Sequence, residues 1–282
     1  MSMFICRSCG IQYAESSQPP SDCAVCRADA CFEPMDPPAW TTLDAIRRTH
    51  TNLIQRLEPN LFSVRSIPSV GGGHRALLLR TERGNILWGC VTLVDEATVR
   101  AIRALGGVSA IAVSHPRHFA TMIEWSHAFG SIPIHVHATG RRWLMRPDHV
   151  VRYWGGAEQE LFDGATLVHV GTGVGAGTLL HWQAAAAGGG ALLTGDVVQV
   201  LKHRRGVGLL SSSRDLVPRS GDGVRQLVSA IARFRFEALY DAQSDSGITR
   251  NARAIVLESS KRYLAALSGL HEVSDPRCWL IA

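Results

Sequence analysis

The sequence predicts an α/β fold behind a small cysteine-rich unit. From about residue 60 onward, apolar runs of strand length alternate with amphipathic stretches of helix length. Several of those runs end on polar chemistry. Ala110–Val113 leads into Ser114-His115-Pro116-Arg117-His118, Leu167–Val170 into a glycine-rich loop, and Ala191–Thr194 into Gly195-Asp196. A buried strand that delivers such side chains at its tip is where open α/β sheets place ligand chemistry. Ahead of all this, two Cys-x-x-Cys pairs fall within the first 26 residues.

Composition narrows the class. With 282 residues, 46% of them hydrophobic and 19% charged, the chain is long enough for one large core and an appendage. No uncharged apolar run of about 18 residues occurs, so no membrane span is expected. The chain reaches Cys6 and Arg7 without a basic-then-apolar leader, which fits a cytoplasmic protein. The formal net charge is +5, yet the only lysines are Lys202 and Lys261 and every other basic residue is arginine. That skew weakens charge as an argument for a nucleic-acid partner.

Residues 1–36 form the first expected unit. Cys6-Arg-Ser-Cys9 and Cys23-Ala-Val-Cys26 are two knuckles whose backbone N–H groups turn toward the thiolates. Four sulfurs make a closed tetrahedron that suits one structural zinc per chain. The unit resembles a rubredoxin-type zinc ribbon. A pair of disulfides and an iron site are the alternatives, and a reducing compartment argues against the disulfides. So short a unit cannot bury a sufficient core, so the metal is expected to hold it together. Cys31 is a spare thiol.

Residues 37–59 are expected to be a linker and a helix. Pro34, Pro37 and Pro38 stiffen the linker; Trp40-Thr-Thr-Leu-Asp44 opens the helix, Leu43, Ile46, Leu53, Ile54 and Leu57 supply its apolar face, and Pro59 stops it. The third unit is residues 60–282. It opens on a meander of Leu61–Ile67, Ala76–Arg80 and Asn85–Trp88, divided by Gly71-Gly-Gly73 and Glu82-Arg-Gly84. A helix over Asp95–Leu105 follows, then the strand to Ser114, a helix over about Phe119–Phe129 and the strand to His137. Strands at Thr166–Val170, Leu179–Trp182 and Ala191–Thr194 come next. The chain closes with helices Val224–Phe236 and Arg250–Leu267 around a strand at Ala238–Tyr240.

This order of motifs resembles the metallo-β-lactamase superfamily over roughly residues 60–265: a histidine motif after a strand, a glycine loop, then Thr-Gly-Asp. Trp40-Thr-Thr42, Gly84-Asn-Ile-Leu-Trp88, Ser114-His-Pro116, Glu124-Trp125 and Leu180-His-Trp182 are similar to a branch that carries an N-terminal zinc ribbon. The resemblance implies an αββα sandwich, two sheets face to face with helices outside. It also implies a dinuclear zinc hydrolase built on H-x-H-x-D-H. Laid on His115, that pattern falls on His115, Arg117, Phe119 and Ala120, so one ligand of four is kept. The next family ligand, a loop histidine, is replaced by Gly173. The bridging carboxylate is kept as Asp196. The final histidine has no counterpart between His203 and His271, and Asp241 is the nearest substitute. A guanidinium cannot bind zinc, so Arg117 is expected to pair with Asp196 in the space of the metal.

Register sorts the remaining histidines. His135 and His137 share one strand face, and His137 at the strand end is expected to border the pocket. Strand alternation turns His118 away from the neighbours of His115. His181 reads as a packing residue on the inner sheet. The loop Gly171–Gly177 precedes a strand, not a helix, which argues against a dinucleotide cradle.

The leading functional expectation is therefore a hydrolase-derived protein whose dinuclear site is largely lost. It acts on or binds a small metabolite by metal-independent means, with His115 or His118 as general base and Asp196 orienting it. Arg117, His137, Gly173 and Asp241 complete the expected pocket. One alternative is an active metal-dependent hydrolase of an ester, thioester or lactone with a rebuilt site. Another is a nucleic-acid or protein docking module. The ribbon offers only Arg7, Tyr13 and Arg27 toward nucleic acid, which disfavours that partner.

Overall fold

The computed structural model describes residues 1–28, 39–171, 177–212, 217–243 and 247–269. Three strands, β1 (Ser2–Cys6), β2 (Gln12–Ser16) and β3 (Trp40–Thr41), form a small antiparallel sheet in the order β2-β1-β3. Helix α1 (Ala24–Ala28) and helix α2 (Leu43–Arg47) flank it. Cys31 and the prolines at 34, 37 and 38 lie outside the described residues.

The stretch 43–57 corrects the sequence expectation. One turn and a half of helix ends at Arg47, and β4 (Thr51–Glu58) follows as an edge strand paired antiparallel with β5 (Leu61–Ile67). The apolar spacing that suggested a helix face is not a buried face, since Leu53 is 45% exposed. The alternate residues turn inward instead. Asn52 donates to the Leu93 carbonyl at 3.0 Å and accepts from Ser66 at 2.8 Å. Satisfying that half-buried amide fixes the strand register, and an isolated helix of this length would have no comparable anchor.

The first large sheet continues through β6 (Ala76–Leu79), β7 (Ile86–Trp88), β8 (Ala110–Ala112), β9 (Ile134–His137) and β10 (Val151–Trp154), in the order β10-β9-β8-β7-β6-β5-β4. Its β4–β7 half is antiparallel and its β7–β10 half parallel. The second sheet has β11 (Glu158–Glu160), β12 (Ala165–Val170), β13 (Gly177–Trp182) and β14 (Ala191–Gly195). Two small hairpins, β15 (Gln199–Val200) with β16 (Val207–Gly208) and β17 (Leu210–Ser212) with β18 (Val217–Pro218), precede its last strand, β19 (Ala238–Asp241).

Period-two alternation sorts each strand into a sheet-facing and a helix-facing set. Leu77, Leu79, Trp88 and Ala112 from the first sheet meet Leu167, Leu180, Trp182 and Leu193 from the second in a dry layer. The opposite residues of the first sheet, such as Leu78, Leu87 and Ile111, pack under α3 (Glu96–Ala104) and α4 (Met122–Ala128). Those of the second sheet, such as Leu179 and Leu192, pack under α5 (Gly221–Ile231) and α6 (Ala252–Leu267). The architecture is the αββα sandwich. His181 belongs to the outer set: its Nε2 meets the Arg235 carbonyl at 2.8 Å and its ring leans on Phe234. It is a packing residue, but on the helix side of its sheet and not on the inner face.

The cysteine-rich unit is docked onto the sandwich. Ile5, Cys9, Ile11 and Ile46 belong to the same buried cluster as Leu87, Ile111 and Trp125. The Gln12 and Ala14 amides donate to the carbonyls of Ala120 and Met145 at 3.1 Å each. At the knuckle, Gly10 (φ +78°) lies against Gly71 (φ +64°) so closely that a Cβ on Gly71 would sit 2.5 Å from the Gly10 Cα. Only two glycines permit that backbone approach.

Candidate functional site

Four sulfurs meet between the two knuckles. Cys6 and Cys26 Sγ lie 3.8 Å apart, Cys9 and Cys23 Sγ 3.6 Å apart, and all four fall within 4.8 Å of one another. No pair is at disulfide distance, which is about 2.05 Å. A tetrahedron of sulfurs about 2.3 Å from a zinc ion has edges near 3.8 Å. The spacing thus fits a metal ion and excludes the disulfide alternative. Each of the four is buried. The Tyr13 hydroxyl reaches Cys23 Sγ at 3.5 Å and accepts from the Ala24 amide at 2.9 Å, closing the shell from the side.

The second group lies where strand ends of both sheets come together. After β8 the chain is extended as far as His115 (φ −153°), which caps a 3-10 turn of Pro116–His118. Strand alternation ends there, so the register argument about His118 does not apply. His118 turns into the protein and is 2% exposed. The Thr194-Gly195-Asp196 corner comes up from the second sheet beneath it. Gly195 (φ +54°) is required, because a Cβ would meet Ser114 Oγ at 2.2 Å. This packing of Gly195 on Ser114 brings Asp196 Oδ2 to 3.0 Å from His118 Nε2.

A third residue, not singled out by sequence reasoning, completes the group. His74 follows the glycine run 71–73 and precedes β6. That strand is antiparallel to β7, which runs parallel to β8, so its start shares an edge with the ends of β7 and β8. The Arg75 amide donates to the Ala242 carbonyl at 3.0 Å and fixes the loop. His74 Nε2 lies 3.6 Å from Asp196 Oδ2, and the His74 and His118 rings stack at 4.5 Å. The three ligand atoms fall within 4.8 Å of one another. A histidine after a glycine run at the start of an antiparallel strand was the available signal.

Burial pushes the Asp196 carboxyl pKa up, but the charges of His118 and His74, with a further contribution from Arg117, hold it well below the usual carboxylate range. The two imidazoles, not the guanidinium alone, therefore surround Asp196. His118 Nε2 stands 3.0 Å from Asp196 Oδ2 as an ion pair, and neither atom makes a hydrogen bond of good geometry.

The other expected residues are dispersed. His115 faces a cavity of about 610 Å³ together with Arg117, His137 and His169. Its Nδ1 accepts from the Arg117 amide at 3.4 Å. Asp241 is 1% exposed and committed elsewhere: the Val200 amide donates to its Oδ2 at 2.7 Å and Arg75 stands 3.7 Å from Oδ1. It is neither in the cavity wall nor in the histidine–aspartate group. Gly173 lies outside the described residues. His137 stacks on His169 with ring centroids 3.5 Å apart. Burial, then the charge of His137, lowers the His169 pKa to about 4, and burial lowers that of His137. His135 turns to Gln159, 3.2 Å away.

The superfamily's dinuclear zinc does not fit these residues. Arg117 stands at one ligand position and cannot coordinate zinc. Phe119 is 2% exposed within the hydrophobic cluster, and Ala120 (φ +44°) gives its carbonyl to Gln12 of the cysteine-rich unit.

No family model matches the chain. Among solved structures it is similar to the metallo-β-lactamases VMB-1 (TM-score 0.58, 12% identity, 77% of this chain and 98% of that one) and DIM-1 (TM-score 0.55, 13% identity, 76% and 97%). The FIM-1 metallo-β-lactamase from Pseudomonas aeruginosa is similar at TM-score 0.53 and 8% identity, covering 75% and 95%. At such identities these likenesses show the fold. In sequence the chain is 33% identical over 270 residues to the protein named Uncharacterized protein YmaE of Bacillus subtilis, covering 95% of this chain and 98% of that one. The chain therefore belongs to the family of that Bacillus subtilis protein and carries a four-cysteine cluster and a degenerate His/Asp motif on the metallo-β-lactamase fold.

Proposed function

We propose that this protein is a hydrolase-derived member of the superfamily that acts on a small anionic ester or related metabolite without a dinuclear centre, with one structural zinc in its ribbon. The cavity carries this reading. Its volume suits a small ligand. It opens beside the ends of β8 and β9, and its wall includes His115, Arg117, Arg141 and Arg142. The guanidinium groups favour a carboxylate or phosphate on the substrate, and His115 supplies acid–base chemistry. Arg141 and Arg142 rest over the Tyr153 and Trp143 rings at 4.3 and 4.6 Å, which orients them on the rim. The sulfur spacing supports zinc in the ribbon, held by Cys6, Cys9, Cys23 and Cys26.

The test compares 4-nitrophenyl hemisuccinate with the neutral 4-nitrophenyl acetate. The anionic ester is expected to be the better substrate, and Arg117→Met to remove about tenfold of that preference, the worth of one charge-assisted hydrogen bond. His115→Ala should lower turnover of both esters. Equal rates on the two esters, unchanged by Arg117→Met, would overturn the reading.

A further inference from the structure

We infer that His74, His118 and Asp196 form a mononuclear binding site for a divalent transition metal, with open coordination positions, at ligand positions other than those of the H-x-H-x-D-H motif.

The first ground is convergence. Each ligand comes from a different loop: the glycine run before β6, the 3-10 turn after β8 and the corner after β14. Independent backbone devices aim them at one place. The Gly10–Gly71 contact and the Arg75 amide fix His74, Pro116 opens the turn that carries His118, and Gly195 lets the Asp196 corner approach Ser114. The Oδ2 separations of 3.0 and 3.6 Å bracket the edge of about 3.3 Å expected when ligands stand about 2.0–2.1 Å from a tetrahedral zinc.

The second ground is an unmet valence. His118 is 2% exposed, and its Nε2 has no hydrogen-bond partner. Asp196 Oδ2, 3.0 Å away, has none either. Native proteins seldom bury two such groups unsatisfied. Their 3.0 Å ion pair lacks good hydrogen-bond geometry. Two lone-pair donors side by side are what a shared third atom requires. The other carboxylate oxygen is restrained by Gln243, whose Nε2 lies 3.4 Å from Oδ1.

The donor set selects the ion. Two imidazoles and one carboxylate suit zinc, cobalt or ferrous iron over magnesium or calcium, which take oxygen ligands. Three protein ligands leave room for water or substrate, as in catalytic sites and unlike the closed four-sulfur ribbon. Arg117 lies near enough for its charge to act on Asp196 and also lines the cavity. It weakens the hold on a cation, so the site should exchange its metal more readily than the ribbon does.

The experiment is a Co²⁺ titration of the full chain, freed of metal under reducing conditions and followed by absorption. Two Co²⁺ per chain are expected. One, in the ribbon, shows thiolate-to-cobalt charge-transfer bands; the other shows only ligand-field bands and is removed first by EDTA. His74→Ala and His118→Ala should each abolish the second signal and keep the first, while His115→Ala keeps both. Asp196→Asn, near in shape, serves if the alanine variants fold poorly. A wild-type chain that saturates at one thiolate-bound Co²⁺ would overturn the inference, as would a second ion that survives in both histidine variants. Neither readout involves the ester substrates, so a failed cavity reading leaves this result intact, and the reverse holds.

Discussion

The two candidate metal clusters differ in how their ligands are brought together. The ribbon's four cysteines lie within 21 consecutive residues and close on themselves through two tight turns. The His74, His118 and Asp196 group is gathered from three loops and exists only when both sheets are in place. The first is a local motif that spacing alone describes. The second is a property of the tertiary fold, and its members carry no mutual spacing to read. Local closure also gives four ligands and no vacancy, whereas the assembled group offers three.

The comparison breaks most readily at the ribbon. Cys9→Ser leaves three thiolates, and the expected result is loss of the ribbon's metal with destabilisation on the order of 4 kcal/mol or more, because structural zinc binding is folding free energy. Elemental analysis and limited proteolysis of residues 1–28 read it. A variant that keeps its metal and its protease resistance would show that the ribbon stands without the fourth sulfur. Gly71→Ala should have the next largest effect, about 2–4 kcal/mol, since the new Cβ meets the Gly10 backbone at 2.5 Å and the residue adopts φ +64°. Urea denaturation measures it. A loss below about 1 kcal/mol would mean that the two clusters are not coupled through this contact.

The smallest effect concerns the cavity side. His169 has its pKa lowered from 6.5 to about 4, by burial first and by His137 second. The unfolded chain therefore binds the proton more readily than the folded one. Above pH 6.5 both states are neutral and the folded protein keeps its full stability. As pH falls from about 6.5 to about 4 the unfolded state gains protons first, so stability declines; below about 4 this contribution is constant. Melting curves across that window should slope downward toward acid, and His169→Gln should flatten the slope. An unchanged slope in the variant would assign it to other groups.

Much of the sandwich was legible. The strands Leu61–Ile67 and Ile86–Trp88 are legible because apolar runs meet glycine turns, and helix Glu96–Ala104 because Gly106-Gly107 stops it; the structure adds the Asp95 cap, whose side chain accepts from the Thr98 amide. Residues 51–58 were misread because leucine and isoleucine at helical spacing also fit an edge strand whose exposed face tolerates Leu53. The site was half legible. His118 and Asp196 stand out in the sequence, but strand alternation does not extend past Ser114, because Pro116 starts a turn there. His74 was invisible because its place depends on which strand lies beside which, and that is decided by the register of β6 on β7, 12 or more residues away.

The buried cluster that runs without interruption from Ile5 and Cys9 to Leu87 and Trp125 has a consequence for cooperativity. A bead on a linker melts by itself; a bead whose inner face is part of its neighbour's interior does not. Heating or urea should therefore take ribbon and first sheet apart in one transition, and a chain trimmed to begin at residue 37 would expose apolar surface that the intact protein never shows to water.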